Sequence, residues 1–214
     1  MSPTDVVTAA RSMYNAVSDT FFSDTQIYNW IWQAEIELAK KAWVIESYTT
    51  GSTSASTQSY AYPTNAVAIK RVTVNGKKLK RITFREDDAV TLSNQNITTT
   101  GWPIYYADFN STIYMRPIPD ATYTIGWYTY NLPTLPSSTG TLDVPTIFHF
   151  DLVDYCLFRM FGMDKDPVNV QYYKTEWEKH VMDAIAYTAR KKRTDSLRTV
   201  QSEDTLPVTI LGEA

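Results

Sequence analysis

The chain has 214 residues, 43% of them apolar and 20% charged, with a formal charge of −3 and a pI near 5.4. That length suits one large domain or two small ones, and the single cysteine excludes both an internal disulfide framework and a four-cysteine zinc site. Few glycines, sparse charge, 29 Thr and 15 Tyr exclude disordered, collagen-like and long Lys/Glu coiled-coil sequence. No apolar run reaches the length that spans a bilayer, and the first residues lack the basic and apolar regions of a secretory signal. The expectation is a soluble, non-exported chain.

From Thr4 to Val17 the apolar residues recur at helical spacing, through Val6, Ala10, Met13 or Tyr14 and Val17, with Thr4 as the expected N-cap. Ser23-Asp24-Thr25-Gln26 reads as a capping box. The helix it opens carries Ile27, Trp30, Ile31, Ala34, Leu38 and Ala42 on one stripe to about Ile45. Glu37 and Lys41 pair on its other face.

From Glu46 to Asp143 the period changes to two, in Thr-, Tyr-, Val- and Ile-rich segments. Ala66 to Val74 is a strand, Asn75-Gly76 a type I′ turn, and Lys78 to Phe84 the returning strand. Further strands are expected at Ile104–Ala107, Thr112–Arg116 and Tyr123–Tyr130, with Pro117 to Asp120 a rigid loop and Tyr48 to Ser59 an entry loop or edge hairpin. Five or more short strands at this spacing predict an antiparallel sandwich or barrel.

Beyond the Leu132–Pro136 linker and Val144-Pro145, helical period returns. Phe148 to Phe161 is apolar on nearly every side, as in a central helix with neighbours around it, and Gly162 is its expected end. Asp166-Pro167 caps a last helix through Val170, Tyr173, Trp177, Val181, Ala184 or Ile185 and Thr188. The expected fold class is α+β: a four-helix bundle from residues 1–45 and 144–193, an inserted antiparallel β-sandwich or barrel module at 46–143, and an extended C-terminal tail at 194–214.

No catalytic motif stands in the sequence. Two histidines leave little for acid–base chemistry: His149 opens an apolar helix, His180 lies on the polar side of the last one, and Cys156 falls on a buried face. Asp164-Lys165-Asp166 and Glu86-Asp87-Asp88 read as a cap and a solvated turn rather than metal ligands. No catalytic residue, metal or cofactor is therefore expected. Charge placement says more. Eleven of the twenty cationic residues occupy two windows: Lys70, Arg71, Lys77, Lys78, Lys80, Arg81 and Arg85, with no acid among them, and Arg190, Lys191, Lys192 and Arg193. A solvated, aggregation-resistant hairpin edge and a charge-stabilised helix C-terminus explain these better than nucleic-acid binding, while contact with an acidic protein surface stays open for both. The tail is net acidic and holds one β-like run, Leu206-Pro207-Val208-Thr209-Ile210-Leu211. It suits either disorder or addition as a strand to a partner sheet.

Phe22-Ser23-Asp24-Thr25-Gln26-Ile27-Tyr28-Asn29-Trp30-Ile31-Trp32-Gln33-Ala34 resembles the opening helix of head-to-tail adaptor proteins of short-tailed bacteriophages. Tyr62-Pro63-Thr64-Asn65, Val74-Asn75-Gly76-Lys77-Lys78-Leu79, Gly101-Trp102-Pro103 and Tyr114-Met115-Arg116-Pro117-Ile118-Pro119-Asp120 look like that family's β-module landmarks in order. Asp151 to Tyr155 and Asp164 to Pro167 resemble its third and fourth helices. Trp32 departs from the pattern, which has a small polar residue there. The resemblance implies a non-enzymatic virion protein at the head–tail junction, made in the bacterial cytoplasm. It implies a twelve-subunit homo-oligomeric ring that binds the portal and the tail nozzle or tube, with DNA passing through unread and no membrane partner. On that reading Leu206 to Leu211 bind the portal, Arg190 to Arg193 form contact patches, and Asn75, Gly76, Lys77, Lys78, Lys80, Trp102 and Pro103 face the nozzle. The rival expectation is a β-rich tail module that binds glycan or nucleic acid through exposed Tyr and Trp.

Overall fold

The computed structural model describes residues 1–15, 21–86 and 99–203, and the side chains of the last helix to residue 192. Helix α1 is Pro3–Met13 and α2 is Asp24–Ala42. Ten strands follow: β1 Glu46–Ser52, β2 Ser59–Ala61, β3 Ala66–Val74, β4 Lys77–Lys78, β5 Lys80–Arg81, β6 Thr100–Gly101, β7 Tyr105–Phe109, β8 Thr112–Arg116, β9 Ile118–Pro119 and β10 Thr124–Asn131. A 3₁₀ turn at Thr146–Phe148 leads into α3, Asp151–Met163, and α4, Pro167–Glu203.

The helix ends follow local chemistry, and four differ from expectation. The N-cap of α1 is Ser2, not Thr4: Ser2 accepts from the Asp5 amide, Asp5 returns the bond, and Pro3 supplies a preset φ at the first turn. Ser23 caps α2 as expected, but the Gln26 side chain donates to Met163 Sδ at 3.1 Å instead of closing the box. Gly162 does not end α3. The helix passes through it to Met163, and Lys165 takes the left-handed conformation (φ 59°) that lets the Asp166 amide reach Phe161 O at 3.1 Å. Asp166 then caps α4, accepting from the Val168 and Asn169 amides at 3.1 and 3.2 Å. Helix α4 runs on to Glu203, so the extended conformation expected from residue 194 does not begin there. Val17 and the run Leu206–Leu211 lie outside the described residues.

Helix α3 packs against α1, α2 and α4, and α2 also packs on α4. Val6, Ala10, Ile27, Ile31, Leu38, Leu152, Leu157, Met160, Trp177 and Val181 join one buried cluster, so both ends of the chain build the same core. A second cluster belongs to the strands. The antiparallel sheet β1-β10-β3-β4 contributes Ile69, Val72, Val74, Ile125 and Trp127, and the sheet β2-β8-β7-β5 contributes Tyr106, Ile113 and Met115. These sheets share their core, and neither closes into a barrel. A third, two-stranded sheet pairs β6 with β9 in parallel.

The returning strand after Asn75-Gly76 is shorter than its sequence suggests. Both turn residues have positive φ (44° and 80°), as a type I′ turn requires. Only Lys77 and Lys78 pair back on β3 as a strand, however, followed by one further bond from Leu79 N to Val72 O at 3.0 Å. The chain then leaves that sheet: Lys80 N donates to Ile104 O and Ile82 N to Tyr106 O, so β5 runs parallel to β7 in the other sheet. Leu79, 2% exposed, is the corner where the burying face changes partner. On the opposite side of β3 the register with β10 skips from Arg71 to Ile69, which makes Lys70 a bulge residue.

Gly126 fixes the close approach of three strands. A Cβ there would lie 2.4 Å from Thr73 Oγ1 and 3.2 Å from the Tyr48 ring, which covers the glycine from β1. Gly126→Ala is expected to lower stability by about 1–3 kcal/mol, read by urea unfolding, because side chains from both neighbouring strands must move.

Candidate functional site

The two basic windows, more than a hundred residues apart in sequence, meet at one carboxylate. Glu46, the first residue of β1, accepts from Lys70 Nζ at 3.1 Å and from Lys191 Nζ at 3.0 Å. Burial works to raise the Glu46 carboxyl, but the two lysines outweigh it and hold it below the usual range. Lys192 Nζ stands 5.7 Å from the Tyr130 ring centroid, which places the end of the second window on β10. The Arg193 side chain lies outside the described residues.

Above this junction the outer face of β1, β10 and β3 carries a stack. Tyr48 packs on Tyr128 at 4.7 Å, and Arg71 sits over Tyr128 at 5.2 Å. Tyr48 is 57% exposed. Beside the stack, Lys70, Arg71, Lys78, Lys80 and Arg81 line a groove of ≈ 600 Å³ whose floor includes Leu79 and Tyr106. Arg81 is held by Asp108 through Nε at 3.0 Å and Nη2 at 2.8 Å, and Asp108 also accepts from Tyr62. Burial, then that bond, pushes the Tyr62 hydroxyl up to about 12.

The residues expected to face a tail partner separate into two groups. Asn75, Gly76, Lys77, Trp102 and Pro103 come together at the hairpin end: Lys77 Nζ lies 5.3 Å from the Trp102 ring centroid, Trp102 packs on Tyr123, Pro103 is buried, and Asn75 Oδ1 accepts from Thr124 N. Lys78 and Lys80 instead belong to the groove. The structure does not bring Arg190–Arg193 to that hairpin end; Lys191 and Lys192 lie at the base of β1 and β10.

Two polar constellations escaped the sequence reading. Glu35 is fully buried: Oε1 accepts from the Asp143 and Val144 amides at 2.8 and 3.2 Å, and Oε2 has no partner among the described residues. The available signal was its place on the apolar stripe, four residues after Ile31 and three before Leu38. His180 bridges Asp154 at 2.8 Å and Asp151 at 3.4 Å, tying α4 to α3. His149 Nε2 donates to Val144 O at 2.9 Å. Cys156 is enclosed by the helices, and burial pushes its thiol up. Among the described residues no group of three metal-capable side chains converges, and no helix is long and apolar enough to cross a membrane.

Burial raises Glu35 from 4.5 to about 7, against the two amide bonds that act to lower it. A raised acid binds more protons folded than unfolded, so its contribution to stability falls as pH rises from 4.5 through 7. Glu35→Gln keeps the acceptor and cannot ionise. Relative to the parent, it is expected to gain roughly 2–3 kcal/mol between pH 5 and pH 8, measured by urea unfolding across that range.

No curated protein matches the chain. A family model described as SU10 adaptor protein matches residues 1–202, nearly the whole chain, and so spans helices α1 to α3, nearly all of α4 and both larger sheets. Such proteins are structural parts of the phage particle at the head–tail junction, where they contact other head and tail proteins. The chain belongs to the SU10 adaptor protein family, the phage adaptors that the sequence resembles.

Proposed function

We propose that the chain forms a ring beneath the portal, twelve subunits by analogy with short-tailed phage adaptors, and joins the portal to the tail nozzle or tube while leaving an axial passage for DNA. The observation that carries this reading is the division of the molecule into two buried cores on one chain: helices from both ends share one, and the inserted strands share the other. A helical part with its own core, read as a four-helix bundle, can pack side by side in a ring, while the sheets project toward a second partner. Exposed apolar side chains on the helices, including Phe150, Met163, Tyr172 and Met182, supply area for subunit contacts.

The hairpin end with Asn75, Gly76, Lys77, Trp102 and Pro103 is the nozzle-facing end, and Lys78 and Lys80 extend that surface. The acidic segment beyond α4, with Leu206 to Leu211, reaches the portal. Lys191 and Lys192 brace the β strands against the last helix and so couple the two ends. DNA passes without sequence-specific contact, and the particle is built in the host cytoplasm. The exposed Tyr48–Tyr128–Arg71 stack favours one other reading, a tail module that binds glycan or nucleic acid.

Particle mass and cryo-EM of the purified chain with and without portal test the ring: a closed multimer on the portal supports it, and a lone subunit bound there overturns it. Deleting residues 200–214 is expected to abolish portal attachment, and reversing charge at Lys77, Lys78 and Lys80 to weaken nozzle binding by about tenfold or more in a pull-down. Tyr48→Ala that leaves tail joining intact but removes retention on DNA or glycan would favour the other reading.

A further inference from the structure

We propose that the groove between β3 and β5 receives an extended acidic peptide from the neighbouring tail protein, added as a strand where those two strands part. The inference rests on the nozzle contact proposed above and names its chemistry.

The groove exists because the hairpin is left unfinished. A continued hairpin would set Lys80 opposite Arg71 and Arg81 opposite Lys70. Instead the chain turns away at Leu79 to pair with β7, and the strands diverge from that buried vertex. Lys70 and Arg71 stand on one lip, Lys80 and Arg81 on the other, with Lys78 near the vertex. Among the described residues β3 pairs with β4 at Thr73 and Val74, and Val72 O accepts from Leu79 N, so the edge from Ala66 to Arg71 meets no strand on this side. Across the gap, Lys80 and Ile82 make the ladder bonds to β7, which by alternation turns the Arg81 amide and carbonyl toward the opening.

The charges select what enters. Among the described residues no carboxylate lines the groove. Lys70 is engaged by Glu46 and Arg81 by Asp108, but Arg71, Lys78 and Lys80 form no salt bridge among the described residues; Glu86 feels Lys80 only at longer range. Lysines at a sheet edge repel most strands that could add there, and an acidic strand is the exception. Main-chain bonds from the open edges would supply affinity, and carboxylates meeting Arg71, Lys78 and Lys80 the selectivity.

The test is a fluorescence-anisotropy titration of the full chain with a labelled peptide of about ten residues alternating Glu and Val. The controls are a Glu/Pro peptide of equal charge, a Lys/Val peptide, a peptide of this chain's residues 203–214, and a duplex of about 20 base pairs. Saturable binding of the Glu/Val peptide is expected, about tenfold tighter than of the Glu/Pro peptide, which lacks every second amide N–H and so cannot donate along both edges. Lys78→Glu with Lys80→Glu should weaken it at least tenfold or so, while Lys78→Arg with Lys80→Arg stays within about threefold, at unchanged thermal midpoints. No saturable binding, equal binding of the Glu/Pro peptide, or tighter binding of the duplex or of residues 203–214 would overturn the proposal. Because the titration uses the free chain, its outcome is independent of whether the ring and portal contact form.

Discussion

Glu35 is the constraint on which the architecture turns. The helical core must be closed by segments from both ends of the chain, with more than a hundred residues looping away between α2 and α3. The buried carboxylate on α2 holds the returning segment by two main-chain amides, at Asp143 and Val144. One turn earlier on the same helix, Trp32 donates to Pro133 O at 3.1 Å, so α2 grips both ends of the stretch that leads back from β10. His149 adds a bond to Val144 O. The cost is an Oε2 with no partner among the described residues in an apolar core, which is tolerable because the amides that Oε1 secures would otherwise be buried and unpaired.

With that return fixed, the end of α4 is delivered to the base of the first sheet. There Glu46 neutralises one lysine from each basic window, and Tyr130 meets Lys192. The helices and the strands keep separate cores, so these polar contacts and the Trp43–Tyr130 ring contact are part of what sets one against the other. A junction made from ion pairs and ring edges is weaker than a shared apolar core, and it suits the proposed role in which the two ends hold different partners.

Much of this could be read from residues alone. Periodicities of 3.6 and 2 separated helices from strands, Asn75-Gly76 announced its turn, and Asp166-Pro167 its cap. The family resemblance rested on motifs whose order is preserved, and the match over residues 1–202 agrees with it. Where the reading failed, an adjacent cap or a tertiary contact outweighed the propensity of single residues. Gly162 is a helix ender by propensity, yet Lys165 takes the left-handed position because the Asp166 cap follows directly. Lys78 to Phe84 alternates as one strand, yet burying Leu79 between two sheets breaks it in two.

The sequence by itself determined the class of the molecule, the Ser23 and Asp166 caps, the type I′ turn and the kinship with phage adaptors, because each rests on neighbours within a few residues or on ordered motifs. It also showed that cations cluster in two windows. Only the tertiary structure decided that those windows meet at Glu46, that a carboxylate on an apolar stripe clamps the chain's return, and that the hairpin opens into a cationic groove. Those outcomes depend on which distant segments share a core. Contacts across a hundred residues leave no local period to read.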